Sequence, residues 1–104
     1  MSNLLPSITA LKILEAASRH NNFTQAAKEL GITPSAVSHQ IRKLEEMWEL
    51  KLFERQPRQV AQTRNGQELA TFVRQFLSGL KGVVKNLQVE EDRKPLRINT
   101  MTSF

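Results

Sequence analysis

Read for spacing alone, the first third of the chain alternates apolar and polar positions with a helical period that is interrupted twice. Ile8, Leu11 and Leu14, with Ala17 beyond them, recur at three- and four-residue steps and predict a helix that begins on Ser7, just after Pro6, and ends in "RHNN". Asn22 then stands as the cap of a second helix, with Gln25 as the return arm of a capping box and Phe23, Ala26, Ala27 and Leu30 as its buried stripe. Gly31 follows at the place where a helix ends in the left-handed conformation. A third helix restarts at once: Thr33 caps it, Pro34 occupies the first helical position, and Val37, Ile41 and Leu44, with Met47 or Trp48, form its inward face over 34–50.

That geometry leaves Ser35, Ser38, His39 and Arg42 on other faces of the third helix. Two helices joined at a glycine corner, with short polar side chains and an arginine early in the second, describe a helix-turn-helix. A plain helical hairpin has the same corner, and the next segment separates the two readings. In "KLFERQPRQVAQT", Leu52 and Phe53, then Val60, predict two short strands around a polar tip that carries Arg55 and Arg58. A basic wing beside a helix-turn-helix can follow phosphates or place an arginine in an AT-rich minor groove. A solvated hairpin tip also carries arginine.

Beyond the wing, Thr63 is a further helix cap, and Leu69, Val73, Phe76, Leu80, Val83 and Leu87 alternate steps of four and three on one continuous helix. Residues 64–90 would span about 40 Å at helical rise. Such a stripe either pairs with a second copy or folds back on its own domain, using Phe72 and Leu77 as well. Gly79 and Gly82 weaken the helix by themselves, so its order depends on a covering surface. The end, "VEEDRKPLRINTMTSF", shifts to an acidic linker and then to an alternating run after Pro95 that predicts one strand.

Charge and composition add a direction. Fifteen Lys and Arg face ten Asp and Glu, a formal net charge of +5, which favours a polyanionic partner. Cysteine is absent, which removes disulfides and thiolate metal sites. No apolar run reaches the length of a membrane span and the start "MSNLLPSITALK" has no signal-peptide pattern, so a cytoplasmic protein is expected. The only histidines are His20 and His39, tyrosine is absent, and no motif resembles a catalytic centre; no metal, cofactor or enzymatic activity is expected. Glu45, Glu46 and Glu49 lie toward the end of the third helix, where structural and solvated roles are the default.

The run "FTQAAKELGITPSAVSHQIRKLEE" followed by "LFERQPRQVAQTRNGQELA" resembles the N-terminal domain of LysR-type transcriptional regulators, and "PSITALKILEAASRHNNFT" with the Ser-His-Gln run is most similar to their glycine-cleavage and β-lactamase activator branch. The resemblance implies a mainly α fold: a winged helix-turn-helix of three helices plus a two-stranded β-wing, then a long dimerisation helix. It divides the chain into a DNA-binding domain at 1–62, a linker helix at 63–92, and the start of an effector-binding domain at 93–104, as in a truncated product or an expressed fragment. It implies that Pro34, Ser35, Ser38 and His39 meet the major groove, that Arg42 lies nearer a phosphate, that Arg58 enters the minor groove, and that Thr24 and Gln25 hold the backbone. Thr33 and Arg55 complete the expected DNA-binding set. The expected partners are double-stranded DNA with an interrupted palindromic operator and a second copy of the chain, with higher oligomers in the complete regulator and a small-molecule effector only in the missing domain. Two departures bear on base preference. Family members often have Gln where Pro34 stands and Arg where His39 stands, so one base-reading amide and one permanent charge are lost. A protein-interaction module that dimerises without specific DNA binding is the alternative.

Overall fold

The first three helices all begin on a side-chain cap and end on a residue with positive φ. In the computed structural model, which describes residues 5–57 and 59–92, α1 runs Ile8–His20, α2 Phe23–Leu30 and α3 Pro34–Trp48. Ser7 Oγ accepts from the Ala10 N–H at 3.1 Å, Asn22 Oδ1 from Gln25 at 2.9 Å, and Thr33 Oγ1 from Ala36 at 3.0 Å. Each cap satisfies a first-turn donor that has no partner inside its helix. Gly31, at φ 71, takes the left-handed conformation as its position demands.

The end of α3 differs from the spacing-based expectation. The helix stops at Trp48, Glu49 adopts φ 55, and the Leu50 N–H turns back to the Glu45 carbonyl at 3.1 Å. This closure satisfies the Glu45 carbonyl and reverses the chain toward the wing, at the cost of placing a non-glycine residue in the left-handed region. The buried face of the first helix keeps Leu14 and Ala17 of the expected stripe but is turned away from Ile8. Ala10, Ile13, Leu14 and Ala17 are buried, whereas Ile8 is 45% exposed. At 3.6 residues per turn, Ile8 lies about half a turn round from the centre of that buried set. Met47 and Trp48 are both half-buried.

Around the corner, the core is made by Ala26 and Ala27 of α2 against Ile41, Val37 and Leu44 of α3, with Leu52 and Phe53 closing it. The small alanines let α2 approach closely. Strands β1 (Phe53–Arg55) and β2 (Val60–Gln62) pair antiparallel, with Phe53 opposite Gln62 and Arg55 opposite Val60. At the tip, Gln56 and Gln59 exchange backbone hydrogen bonds of 2.9 and 3.4 Å. The tip therefore begins at Gln56, and Arg55 belongs to the strand.

Helix α4 runs Arg64–Asp92. Its start is held by Thr63, whose Oγ1 accepts from the Gly66 N–H at 3.0 Å and donates to the Lys51 carbonyl at 2.6 Å. Gly66 is required for a steric reason: a Cβ there would run into the Leu52 carbonyl oxygen. Two compact units divide the chain within this helix, the first ending at Arg74 and the second beginning at Gln75. In the first unit Ala70 and Val73 are buried in the domain core. Val73 was expected on a partner-facing seam, and its placement corrects that expectation, because a residue already 4% exposed has almost no surface left for a partner to cover. Leu69 is half-buried and Phe72 is exposed. In the second unit Phe76, Leu80, Val83, Val84, Leu87 and Val89 are all exposed. No helix among the described residues is long and apolar enough to cross a membrane. The acidic linker and strand expected at 93–104 lie outside the described residues.

Candidate nucleic-acid interface

The first half of α3 carries the exposed polar set. Thr33, Pro34, Ser35 and His39 are exposed, Arg42 lies exposed one turn further along, and Ser38 is half-buried. Val37, Ile41 and Leu44, on the opposite face, are fully covered, so packing fixes which residues α3 turns outward. Thr24 and Gln25 stand exposed in the first turn of α2. Backbone N–H groups at a helix start favour an anionic neighbour, through their own free donors and the helix dipole.

Arg55 differs most from its expected place. It is not a cation standing free at the wing tip: Nη1 donates to Ser38 Oγ at 2.9 Å, Nη2 lies 3.6 Å from Glu45 Oε1, and the guanidinium sits 5.3 Å from the centre of the Phe23 ring. Phe23 in turn meets Phe53 edge-on, with ring centres 5.4 Å apart. The cluster binds α2, α3 and β1 to one another. Arg58 lies outside the described residues.

Glu45 holds the wing to α3 from the other side. Its Oε2 accepts from the backbone N–H groups of Leu52 and Phe53 at 2.9 and 3.2 Å, so a charged acceptor satisfies two donors that enter the first strand. The second strand is tied to α1 through Gln62 and buried Ser18, by bonds of 2.8 and 3.1 Å. Neither tie has a periodic signal in the sequence. The partners are 7 to 44 residues apart and meet only because the helices cross.

A second charged group lies on α1 and α2. Arg19 bridges Glu15 and Glu29, each at 2.8 Å, His20 Nε2 lies 2.7 Å from Glu29, and Arg74 reaches Glu15 at 3.3 Å. Hydrogen bonds from Arg19, then from His20, hold the Glu29 carboxyl down to about 2. Hydrogen bonding to Arg19 likewise lowers Glu15, against the opposing effect of its partial burial, and the two carboxylates raise Arg19 above its ordinary value. These cations are engaged within the domain. Ser35, His39 and Arg42 stay exposed along the outer face of α3.

Comparison with known proteins agrees with this architecture. Residues 8–67 match the family described as bacterial regulatory helix-turn-helix protein, lysR family. The glycine cleavage system transcriptional activator of Escherichia coli strain K12 is 39% identical over 104 residues, which is all of this chain and 34% of that protein. The HTH-type transcriptional activator AmpR of Pseudomonas aeruginosa is 34% identical over 97 residues, 93% of this chain and 33% of that one. The chain thus spans about a third of the length of these curated relatives. Among solved structures, the DNA-binding domain of BenM in complex with its benA site 1 DNA superposes with a TM-score of 0.77 at 28% identity, over 83% of this chain and 97% of that one. With its corner, wing and long helix in one order, and with more than half of its length matched, this chain belongs to the LysR family of bacterial regulatory helix-turn-helix proteins.

Proposed function

We propose that the chain is the DNA-binding and pairing part of a transcriptional regulator that works in the cytoplasm. Helix α3 enters the major groove with Pro34, Ser35, Ser38 and His39 toward the base edges and Thr33 and Arg42 nearer the backbone. Thr24 and Gln25 hold a phosphate at the start of α2. Arg58, on sequence grounds alone, reaches the minor groove. Two copies join through the exposed stripe of α4 that begins at Phe76, and together they address an interrupted palindrome. The single observation that carries this reading is the exposure of Ser35 and His39 on a helix whose opposite face is fully packed. The DNA in the BenM complex supports it by likeness.

Selection of bound sequences from a random duplex pool, followed by titration with salt, tests it. A sequence-specific DNA module enriches one half-site motif and loses affinity steeply with salt, by about 0.9 in logarithmic slope for each phosphate neutralised. A chain that enriches no motif and binds every duplex alike is a pairing module without specific DNA recognition.

A further inference from the structure

Ser38 lies among the residues facing outward from α3, yet its hydroxyl already has a partner. Arg55 donates to Oγ at 2.9 Å, and the same guanidinium is held against the Phe23 ring and beside Glu45. Glu45 is itself fixed by two strand N–H groups. Three elements therefore determine where the arginine points, and its two terminal nitrogens are turned toward protein groups.

A serine hydroxyl has one proton and two lone pairs. When a cationic donor occupies a lone pair, the proton must point elsewhere, and the O–H bond is polarised into a stronger donor. A second donor approaching the same oxygen meets the arginine charge.

We infer that Arg55 is a positioning residue for base recognition: by donating to Ser38 Oγ it commits the Ser38 hydroxyl to the donor role, so that Ser38 selects base edges presenting an acceptor and rejects the amino edge of cytosine. The acceptor edges available in the major groove are guanine O6 and N7, adenine N7 and thymine O4. This inference rests on the DNA-binding reading above. It gives Arg55 a role through Ser38 in place of the direct DNA contact expected of it.

The test uses the duplex that the wild-type chain selects from a random pool, together with all its single base-pair changes. Wild type, Ser38→Ala, Arg55→Met and the double variant are compared, each checked for wild-type melting. Ser38→Ala is expected to flatten the preference at one base pair of each half-site by roughly three- to ten-fold, the scale of one hydrogen bond. Arg55→Met should flatten the same pair, the double variant should lose no more than either alone, and Arg55→Lys, which keeps a cationic donor, should retain most of the preference.

Uniform weakening of every duplex by Arg55→Met, with the Ser38-dependent preference intact, overturns the inference and marks a phosphate contact. So does multiplication of the two losses in the double variant, or loss of the preference in a folded Arg55→Lys chain. If Arg55→Met does not fold, the base pair released in Ser38→Ala decides: a wild-type preference there for the cytosine amino edge overturns the assignment, and an acceptor edge supports it. Failure of the wild-type chain to select any duplex is a different result, which removes the DNA reading and this inference with it.

Discussion

The Ser18 hydroxyl donates to Gln62 Oε1 at 2.8 Å, and the Gln62 amide returns to the Ser18 carbonyl at 3.1 Å, joining the last turn of the fold's first helix to its second strand. Ser18 is buried, so its partner cannot be replaced by bulk water without rearrangement. Gln62→Leu should therefore destabilise the domain by about 1–3 kcal/mol, the cost of an unsatisfied buried polar group. Ser18→Ala in the same chain should recover part of that loss. Urea unfolding of the two single variants and the double variant measures it, and strictly additive losses would show that the pair is not coupled.

Glycines in α4 should respond in opposite directions. Gly66→Ala forces a Cβ against the Leu52 carbonyl and should cost about 1–3 kcal/mol or displace the helix start. At Gly79 and Gly82 a Cβ meets nothing within 4 Å, and each change to Ala should raise helix stability by about 1 kcal/mol. Thermal melting followed by circular dichroism distinguishes the sites. Loss of stability at Gly79 would reveal a close neighbour there, as in a paired helix.

Ser35→Ala and His39→Ala should each reduce discrimination between a selected duplex and random DNA more than they reduce binding to random DNA. Both residues are exposed at the start of α3, the segment that the proposed function turns toward the base edges. Fluorescence anisotropy on the two duplexes gives the ratio. Equal losses on both would make them backbone contacts.

Leu80 is 47% exposed at the centre of the apolar stripe of α4. A carboxylate introduced there must be desolvated when two copies associate, so Leu80→Asp should shift sedimentation from dimer to monomer. Tight binding to a two-half-site duplex should fall with it, while the winged domain stays folded. A variant that sediments as a dimer and binds normally would place the pairing surface elsewhere.

Acid should weaken the ties on α1 and α2. The Glu29 carboxyl is held at about 2 against an ordinary 4.5, and Glu15 is lowered as well, so in this range the unfolded chain binds more protons than the folded one. The contribution of Glu29 is complete above about 4.5 and is lost as pH falls toward 2, and that of Glu15 is likewise lost as pH falls below its ordinary range. The urea midpoint should drop through that window, and Glu15→Gln with Glu29→Gln should make the drop shallower. An unchanged slope would mean that other carboxylates govern acid unfolding.

Local chemistry makes much of this fold legible in the sequence. Caps at Ser7, Asn22 and Thr33, the turn at Gly31 and the stripe Val37, Ile41, Leu44 act within a few residues of one another, so the chain specifies them with short-range rules, and the outward residues of α3 follow from the same spacing. The heptad-like stripe was visible too, but periodicity alone cannot assign its first turns to a partner or to the chain itself. Packing decided that, by covering Ala70 and Val73 within the winged domain and leaving the apolar positions from Phe76 to Val89 largely uncovered.

The surroundings of Arg55 were decided only by the tertiary structure. Sequence placed it beside Arg58 on a polar tip, and the family resemblance assigned the minor groove to Arg58 while giving Arg55 no role of its own within the DNA-binding set. The register of Arg55 opposite Val60 puts it on the strand, and the crossing of α2 and α3 brings Phe23, Ser38 and Glu45 around it. Those partners are separated along the chain by up to 32 residues, counting from 23 to 55. Whether Arg55 reaches the Ser38 hydroxyl depends on distances of a few tenths of an ångström, which no periodic pattern encodes, and so the surroundings of this arginine emerge only when the helices have packed.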